Sequence, residues 1–278
     1  MTYISDALVK AKGDGFLDYR TRELPTWCPG CGYFGIAHAL VQVVGELGLR
    51  NEEMCVVSGI GCAGRFPIFM KVYGFHTLHG RSVPVASGVK LASPELTVFS
   101  IGGDGDILGI GGGHLPHIAR KNIDITLFLF DNSIYGLTKG QSSPTTPMGN
   151  ATGSHPRGNP DEPLNPVALA LSHGASYVAR GYAGDVSGMK EVMREAIVHK
   201  GFSLVHLVSP CVTFDKENYT WKRLSELVMP LPHTHDPSHH EAALRLAHDE
   251  RIMTGIFYHD NQRPSYLEHL ETKREESP

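Results

Sequence analysis

The sequence predicts an α/β fold with a mainly parallel sheet and flanking helices, on two observations. Short apolar runs alternate with helical patterns along the chain, the order expected of β-α-β units. Four of those runs are each followed by a segment rich in glycine, acid or cysteine: "GIGCAGR", "GGDGD", "DNSIYG" and "SPC". In open parallel sheets ligands bind beyond the carboxyl ends of the strands. The four segments are therefore expected to converge on one edge of the sheet.

Taken in order, strands are expected at 54–58 ("MCVVS"), 96–101 ("LTVFSI"), 124–130 ("DITLFLF"), 176–179 ("SYVA") and 203–208 ("SLVHLV"). Each is a short apolar run bounded by polar or turn-forming residues. Helices are expected over 33–47, 108–121 and 185–200. In the last, Val186, Met189, Val192, Met193 and Ile197 share one stripe, and Asp185 is placed to cap the amino end. Residues 140–166 carry too much Pro, Gly and Ser for regular structure, and a loop that long is usually functional or a lid. From 226 the chain turns polar and histidine-rich, with one helical stretch near 239–252. The expected division is a cofactor-binding domain over 1–225 and a peripheral extension over 226–278.

Composition narrows the function. The chain has 278 residues, 41% hydrophobic and 19% charged, with a formal charge of −4. That suffices for a sizeable core and lacks the basic excess of a nucleic-acid binder. No apolar run approaches a membrane span, and the first residues lack the apolar centre of an export signal. A soluble cytoplasmic protein is expected. The five cysteines, at 28, 31, 55, 62 and 211, argue against a disulfide framework. Cys55 sits inside an apolar run and reads as a small core residue. "WCPGCGY" reads otherwise, because a Pro-Gly turn aims Cys28 and Cys31 at one point. With Cys62 and Cys211 they form a possible four-thiolate site, open at this level to zinc or to an iron–sulfur cluster.

"IGGDGD" and "LFLFDNSIYG" fail the dinucleotide fingerprint: the sixth residue from Gly103 is Leu108 and from Gly109 is His114. A right-handed crossover would instead bring Asp104 and Asn132 face to face at adjacent strand ends. Magnesium prefers oxygen ligands and commonly takes one or two from protein and the rest from phosphates. The Asp104 carboxylate, the Asn132 amide oxygen and the carbonyl of Ile134 supply three, while Gly105 and Gly136 allow close backbone approach.

That spacing, Gly-Asp-Gly and then Asn after 26 residues, resembles the thiamine-diphosphate motif. Together with "TWCPGCGYFGI", "SGIGCAGR", "HTLHGRSVPVASGVKLA", "DNSIYGLTKGQSSPT" and "SPCVTF", it makes residues 25–220 resemble the β subunit of 2-oxoacid:ferredoxin oxidoreductases. The resemblance implies a thiamine-diphosphate-binding (pyrophosphate-domain) fold holding thiamine diphosphate, Mg²⁺ and one [4Fe–4S] cluster. The cluster ligands would be Cys28, Cys31, Cys62 and Cys211. Cofactor contacts would come from Gly61, Cys62, His79, Gly80, Gly103, Asp104, Gly105, Asp106, Asn132, Ile134, Gly136 and Leu137. The implied reaction converts 2-oxoacid and coenzyme A to acyl-CoA and CO₂, reversibly, with electrons leaving through the cluster to ferredoxin. "TWCPGCGYFGI" and "HTLHGRSVPVASG" look more like the 2-oxoglutarate branch than the pyruvate branch.

Thiamine chemistry also needs a Glu beside the aminopyrimidine. Glu23 and Glu95 lie at the wrong places in the sequence, and in the resembled family this Glu, like the CoA site, belongs to an α subunit. The chain is expected to be half of an enzyme in an α2β2-type assembly. Arg65 and Lys139 are expected at the substrate or phosphate, with Arg65 gripping the distal carboxylate of 2-oxoglutarate. The histidines at 233, 235, 239 and 240 read as a solvated tail. Alternatives are a pyruvate or broad 2-oxoacid β subunit, a thiamine decarboxylase or synthase without a cluster, and a non-catalytic zinc-binding assembly subunit.

Overall fold

In the computed structural model, which describes residues 19–275, eight strands form one sheet. Its strands in chain order begin with β1 (Met54–Ser58), β2 (Tyr73–His76), β3 (Thr97–Gly103) and β4 (Thr126–Asp131). A separate small hairpin of β5 (Ile134–Tyr135) and β6 (Gln141–Ser142) follows. The sheet then resumes with β7 (Tyr177–Tyr182), β8 (Ser203–Val208), β9 (Val228–Pro230) and β10 (Ile252–His259). Their spatial order is β2-β1-β3-β4-β8-β7-β10-β9. All pairings are parallel except that of β10 with β7. The expected strands all form, within a few residues at their ends; the exposed edge strand β2 had no apolar run to announce it.

Strand β4, "TLFLFD", shows why the central strands form. Phe128 and Phe130 point into one core and Leu127 and Leu129 into the other, all fully buried. A run apolar on both faces is what a doubly covered parallel strand requires, and each such side chain contributes about 1.5–3 kcal/mol of burial. On the phenylalanine face lie α1 (Tyr33–Glu46) and, later in the chain, residues 186–198. On the leucine face lie α2 (Ser82–Ala92), α3 (Leu115–Lys121) and α4 (Pro166–Ser172). Helix α5 (Val186–Val198) buries Met189, Val192 and Met193 as the stripe predicts, and Asp185 caps it by accepting from the Gly188 N–H at 3.0 Å.

Two expectations change. The helix expected over 108–121 is regular only in α3. Before it the chain makes a π-type turn over Gly105–Ile110, broken at Gly109, and then a 3₁₀ turn over Gly112–His114. Five glycines in this stretch withhold helix propensity, and Gly111 packs against the backbone of Gly80, where a side chain would not fit. The segment after 226 is also more than a peripheral extension. After α6 (Trp221–Leu227) it supplies β9, α7 (His240–Ala247), β10 and α8 (Tyr266–Glu275). Ala243, Ala247, Met253 and Phe257 are buried in the leucine-face core. The sparse apolar residues there alternate with polar ones because β10 is covered less completely than the central strands.

Candidate functional site

Parallel pairing of β3 with β4 sets Gly103 beside Phe130, so the next residues, Asp104 and Asp131, meet at the carboxyl ends of the two strands. Asp104 is only 2% exposed. It accepts hydrogen bonds from the Asn132 N–H and the Ser143 hydroxyl, and its Oδ2 accepts from Thr145 Oγ1 at 2.9 Å. Burial first, and then the neighbouring Asp131, push its carboxyl above the ordinary range. Among the described residues no Lys, Arg or His pairs with it. A buried acid facing a cleft without a counter-charge fits a cation, so the donor set passes as a magnesium site.

The turn after β4 presents the other expected oxygen donors. Ser133 has a left-handed backbone (φ 55°), and its N–H is held by Asp131 Oδ1 at 2.9 Å. Asn132 and Ile134 flank this residue, and Asn132 Oδ1 accepts weakly from the Ile134 N–H at 3.3 Å. The Tyr135 hydroxyl donates to the Gly105 carbonyl at 3.0 Å, which closes β5 onto the glycine-rich turn.

A cleft of about 110 Å³ opens here. Gly61, Cys62, His79, Gly103, Asp104, Gly105, Asp106, Asn132, Ile134, Gly136 and Leu137 line it, together with Tyr33, Tyr135 and Thr138. Gly80 stands just behind this wall, its N–H donating to Asp106 Oδ1 at 2.8 Å. The same oxygen receives the Ile60 N–H at 3.0 Å and lies 2.5 Å from His79 Nδ1. Asp106 thus gathers two loops and the histidine. A wider hollow of about 850 Å³ lies at the amino ends of β1 and β3 and includes Glu95. It is far from these groups, and the chemistry belongs to the smaller cleft.

Of the thiols, Cys62 lines that cleft and Cys211 lies beside its Gly136 wall. Gly30, with φ 81°, makes the turn between Cys28 and Cys31, where the Cys31 N–H donates to the Cys28 carbonyl at 3.0 Å. Trp27 Nε1 donates to the Cys62 carbonyl at 2.8 Å, and Trp221 Nε1 to the Gly30 carbonyl at 3.0 Å. Gly32 packs so closely on Ser209 that a Cβ there would overlap its hydroxyl, which draws in the loop bearing Cys211. A Cβ on Gly136 would stand 3.6 Å from Cys62 Sγ and 3.8 Å from Cys211 Sγ. Burial, and the mutual repulsion of the four thiolates, push Cys31 up to about 12, and Cys62 also rises. Among the described residues no three ligating side chains are drawn close enough to enclose a metal. Even so, four soft donors that repel one another when ionised suit a cationic cluster. Cys55 is separate, fully buried in the leucine-face core.

Arg65 and Lys139 are exposed, and neither lines the cleft; Arg65 is near enough to Cys62 to favour its thiolate. Glu23 and Glu95 are also exposed and outside the cleft. Sequence reasoning missed Tyr135, Thr145, Asp131 and His206. Asp131 and Tyr135 stand beside predicted residues of the "DNSIYG" turn; His206 gave no local signal.

Residues 59–207 match the model of the thiamine pyrophosphate enzyme C-terminal TPP-binding domain. Residues 211–275 match that of the C-terminal part of the pyruvate ferredoxin oxidoreductase beta subunit. The chain is 42% identical over 268 residues to subunit beta of 2-oxoacid:ferredoxin oxidoreductase 2 of Aeropyrum pernix, covering 92% of this chain and 87% of that one. It belongs to the β subunits of 2-oxoacid:ferredoxin oxidoreductases. The β subunit is 46% identical over 202 residues to the 2-oxoglutarate oxidoreductase subunit KorB of Mycobacterium tuberculosis, covering 73% of this chain and 54% of that one. It superposes with a TM-score of 0.91 and 42% identity on a solved chain, covering 95% of this chain and 92% of that one. That structure is a 2-oxoglutarate:ferredoxin oxidoreductase from Magnetococcus marinus with 2-oxoglutarate, coenzyme A and succinyl-CoA bound. The chain accordingly carries a thiamine-diphosphate-binding domain, and the β subunit works with an α subunit. Among the described residues no helix is long and apolar enough to cross a membrane.

Proposed function

We propose that this β subunit, with its α subunit, converts 2-oxoglutarate and CoA reversibly to succinyl-CoA and CO₂, passing electrons through a [4Fe–4S] cluster to ferredoxin. The observation that carries the reading is the turn over 132–137. At one end Asn132 and Ile134 face the buried Asp104 carboxylate, and at the other Gly136 stands between the Cys62 and Cys211 thiols. One turn therefore serves both the diphosphate cation and the electron acceptor. The relatives described as 2-oxoglutarate enzymes support the substrate.

Asp104, Asn132 and the Ile134 carbonyl would hold Mg²⁺, and Cys28, Cys31, Cys62 and Cys211 the cluster. Bound thiamine diphosphate supplies the electron sink for decarboxylation. The chain's own part is to hold and exclude. The glycines at 61, 103, 105 and 136 let backbone approach the diphosphate, while Tyr33, Ile134 and Leu137 keep an apolar wall against water. His79, which lines the cleft, keeps its Nδ1 on Asp106. Arg65 would pair the distal carboxylate that distinguishes 2-oxoglutarate from pyruvate, and Lys139 would meet substrate or phosphate.

In the purified complex, Ser in place of Cys28, Cys31, Cys62 or Cys211 is expected to lower iron content and abolish ferredoxin reduction, while Cys55→Ser changes neither. The wild type is expected to favour 2-oxoglutarate, and Arg65→Ala to lose about tenfold to a hundredfold on it with little change on pyruvate. Activity that survives without iron would refute the electron path, and a preference for pyruvate would refute the substrate.

A further inference from the structure

The leucine-bearing face of the sheet holds an oddity near its carboxyl edge. Arg180 of β7, His206 of β8 and Asp131 of β4 are all buried where apolar side chains would be expected. Register makes Arg180 the direct neighbour of His206. Arg180 Nε donates to His206 Nδ1 at 3.0 Å. An accepting Nδ1 leaves the proton on Nε2, which donates to Asp131 Oδ2 at 2.7 Å. The far end of Arg180 is tied to the Met253 carbonyl of β10 at 3.2 Å, with its guanidinium 5.3 Å from the Phe257 ring centre. On the other side Asp131 Oδ1 holds the Ser133 N–H and accepts from Thr145 Oγ1 at 2.8 Å. Thr145 also reaches Asp104 Oδ2.

A buried Arg and Asp bridged by a neutral imidazole add little stability in themselves, since hydrophobic replacements of similar volume often do as well. What they achieve locally is specific. Ser133 is held left-handed by Asp131, a conformation that disfavours residues other than glycine, and that turn orients Asn132 and Ile134. We propose that His206 and Arg180 are positioning residues for the cation and diphosphate, acting through Asp131 and Thr145 to fix the turn that presents Asn132 and Ile134. The proposal rests on the reading of Asp104, Asn132 and Ile134 as the cation site. It also accounts for the placement of β10, which closes over Arg180 and keeps water from the charged end of the chain. Thr145 has a single hydroxyl proton for two carboxylates. With a cation on Asp104 that proton stays with Asp131.

The test titrates Mg²⁺ and thiamine diphosphate into cofactor-stripped complexes and reads binding directly, without turnover. His206→Leu and Thr145→Val are expected to weaken binding about tenfold or more, the usual effect of losing a partner behind a metal ligand. His206→Gln keeps a donor toward Asp131, and Thr145→Ser keeps the hydroxyl. Both are expected to bind within a few-fold of wild type with unchanged iron content. Asp104→Ala is the reference. If it loses the cofactor while folded His206→Leu and Thr145→Val bind within twofold of wild type, the positioning role is wrong. If Asp104→Ala itself binds normally, the cation reading falls and the proposal with it. Should His206→Leu fail to fold, Thr145→Val, which removes one hydroxyl without changing charge, decides alone.

Discussion

At Gly105 the backbone lies against the Tyr135 ring so closely that an added Cβ would overlap its Cε1 and Cζ atoms. Tyr135 is half-buried and can swing aside, but doing so breaks its bond to the Gly105 carbonyl and removes one wall of the cleft. Gly105→Ala is therefore expected to cost only about 1–2 kcal/mol of stability and at least tenfold in thiamine diphosphate affinity. Parallel denaturant and cofactor titrations separate the two, and unchanged affinity would contradict the placement of Tyr135. This glycine was legible in the sequence, because Gly-Asp-Gly at a strand end already asks for close backbone approach. Thr145 was not. Its neighbours in sequence are loop residues, and its two carboxylate partners lie 41 and 14 positions away. Nothing local marks a threonine as the link between them.

Among the elements, strands buried on both faces announced themselves as unbroken apolar runs, and so did the amphipathic α5. Edge strand β2 and the partly covered β10 have no such run, and their positions follow from pairing alone. The histidines of the last third are a case in point. His199, at the end of α5, lies against His259 of β10 with ring centres 5.1 Å apart, and its Nε2 meets Ser176 Oγ at 2.7 Å. Burial, and then His259, lower its pKa from the ordinary 6.5 to about 4, against weaker opposing pulls from Asp124 and Asp260. The folded state thus holds His199 neutral where the unfolded chain would bind a proton. The stability it contributes is full above pH 6.5 and drains away as pH falls toward 4, by on the order of 3 kcal/mol at most. Between pH 7 and pH 4.5 the wild type should lose more unfolding free energy than His199→Gln. Identical pH profiles would mean that folding leaves the proton affinity of His199 unchanged.

Across the whole molecule, the strand ends bring the glycine-acid turns and the loops bearing Cys62 and Cys211 to one edge, a convergence expected from the order of the motifs. What the sequence could only imply is that the edge is unfinished. Among the described residues the cleft has no glutamate on its walls, and exposed apolar side chains stand around it. Leu137 lines it and is 48% exposed; Leu78, beside His79, is 77% exposed; and Ile110, against Gly80, is 61% exposed. Such clusters on a polar surface mark sites of association, and the α subunit is the partner this family supplies. Because Leu78 and Ile110 contact solvent rather than core, Leu78→Glu and Ile110→Glu should leave the β subunit folded. Placing a carboxylate in an apolar interface costs several kcal/mol when nothing pairs it, so the double variant is expected to co-elute poorly with the α subunit on size exclusion. The isolated wild-type chain, loaded with thiamine diphosphate and iron, should turn over no 2-oxoacid until the α subunit is added. Normal assembly by the double variant would move the interface elsewhere, and turnover by the chain alone would mean that the missing glutamate is not required.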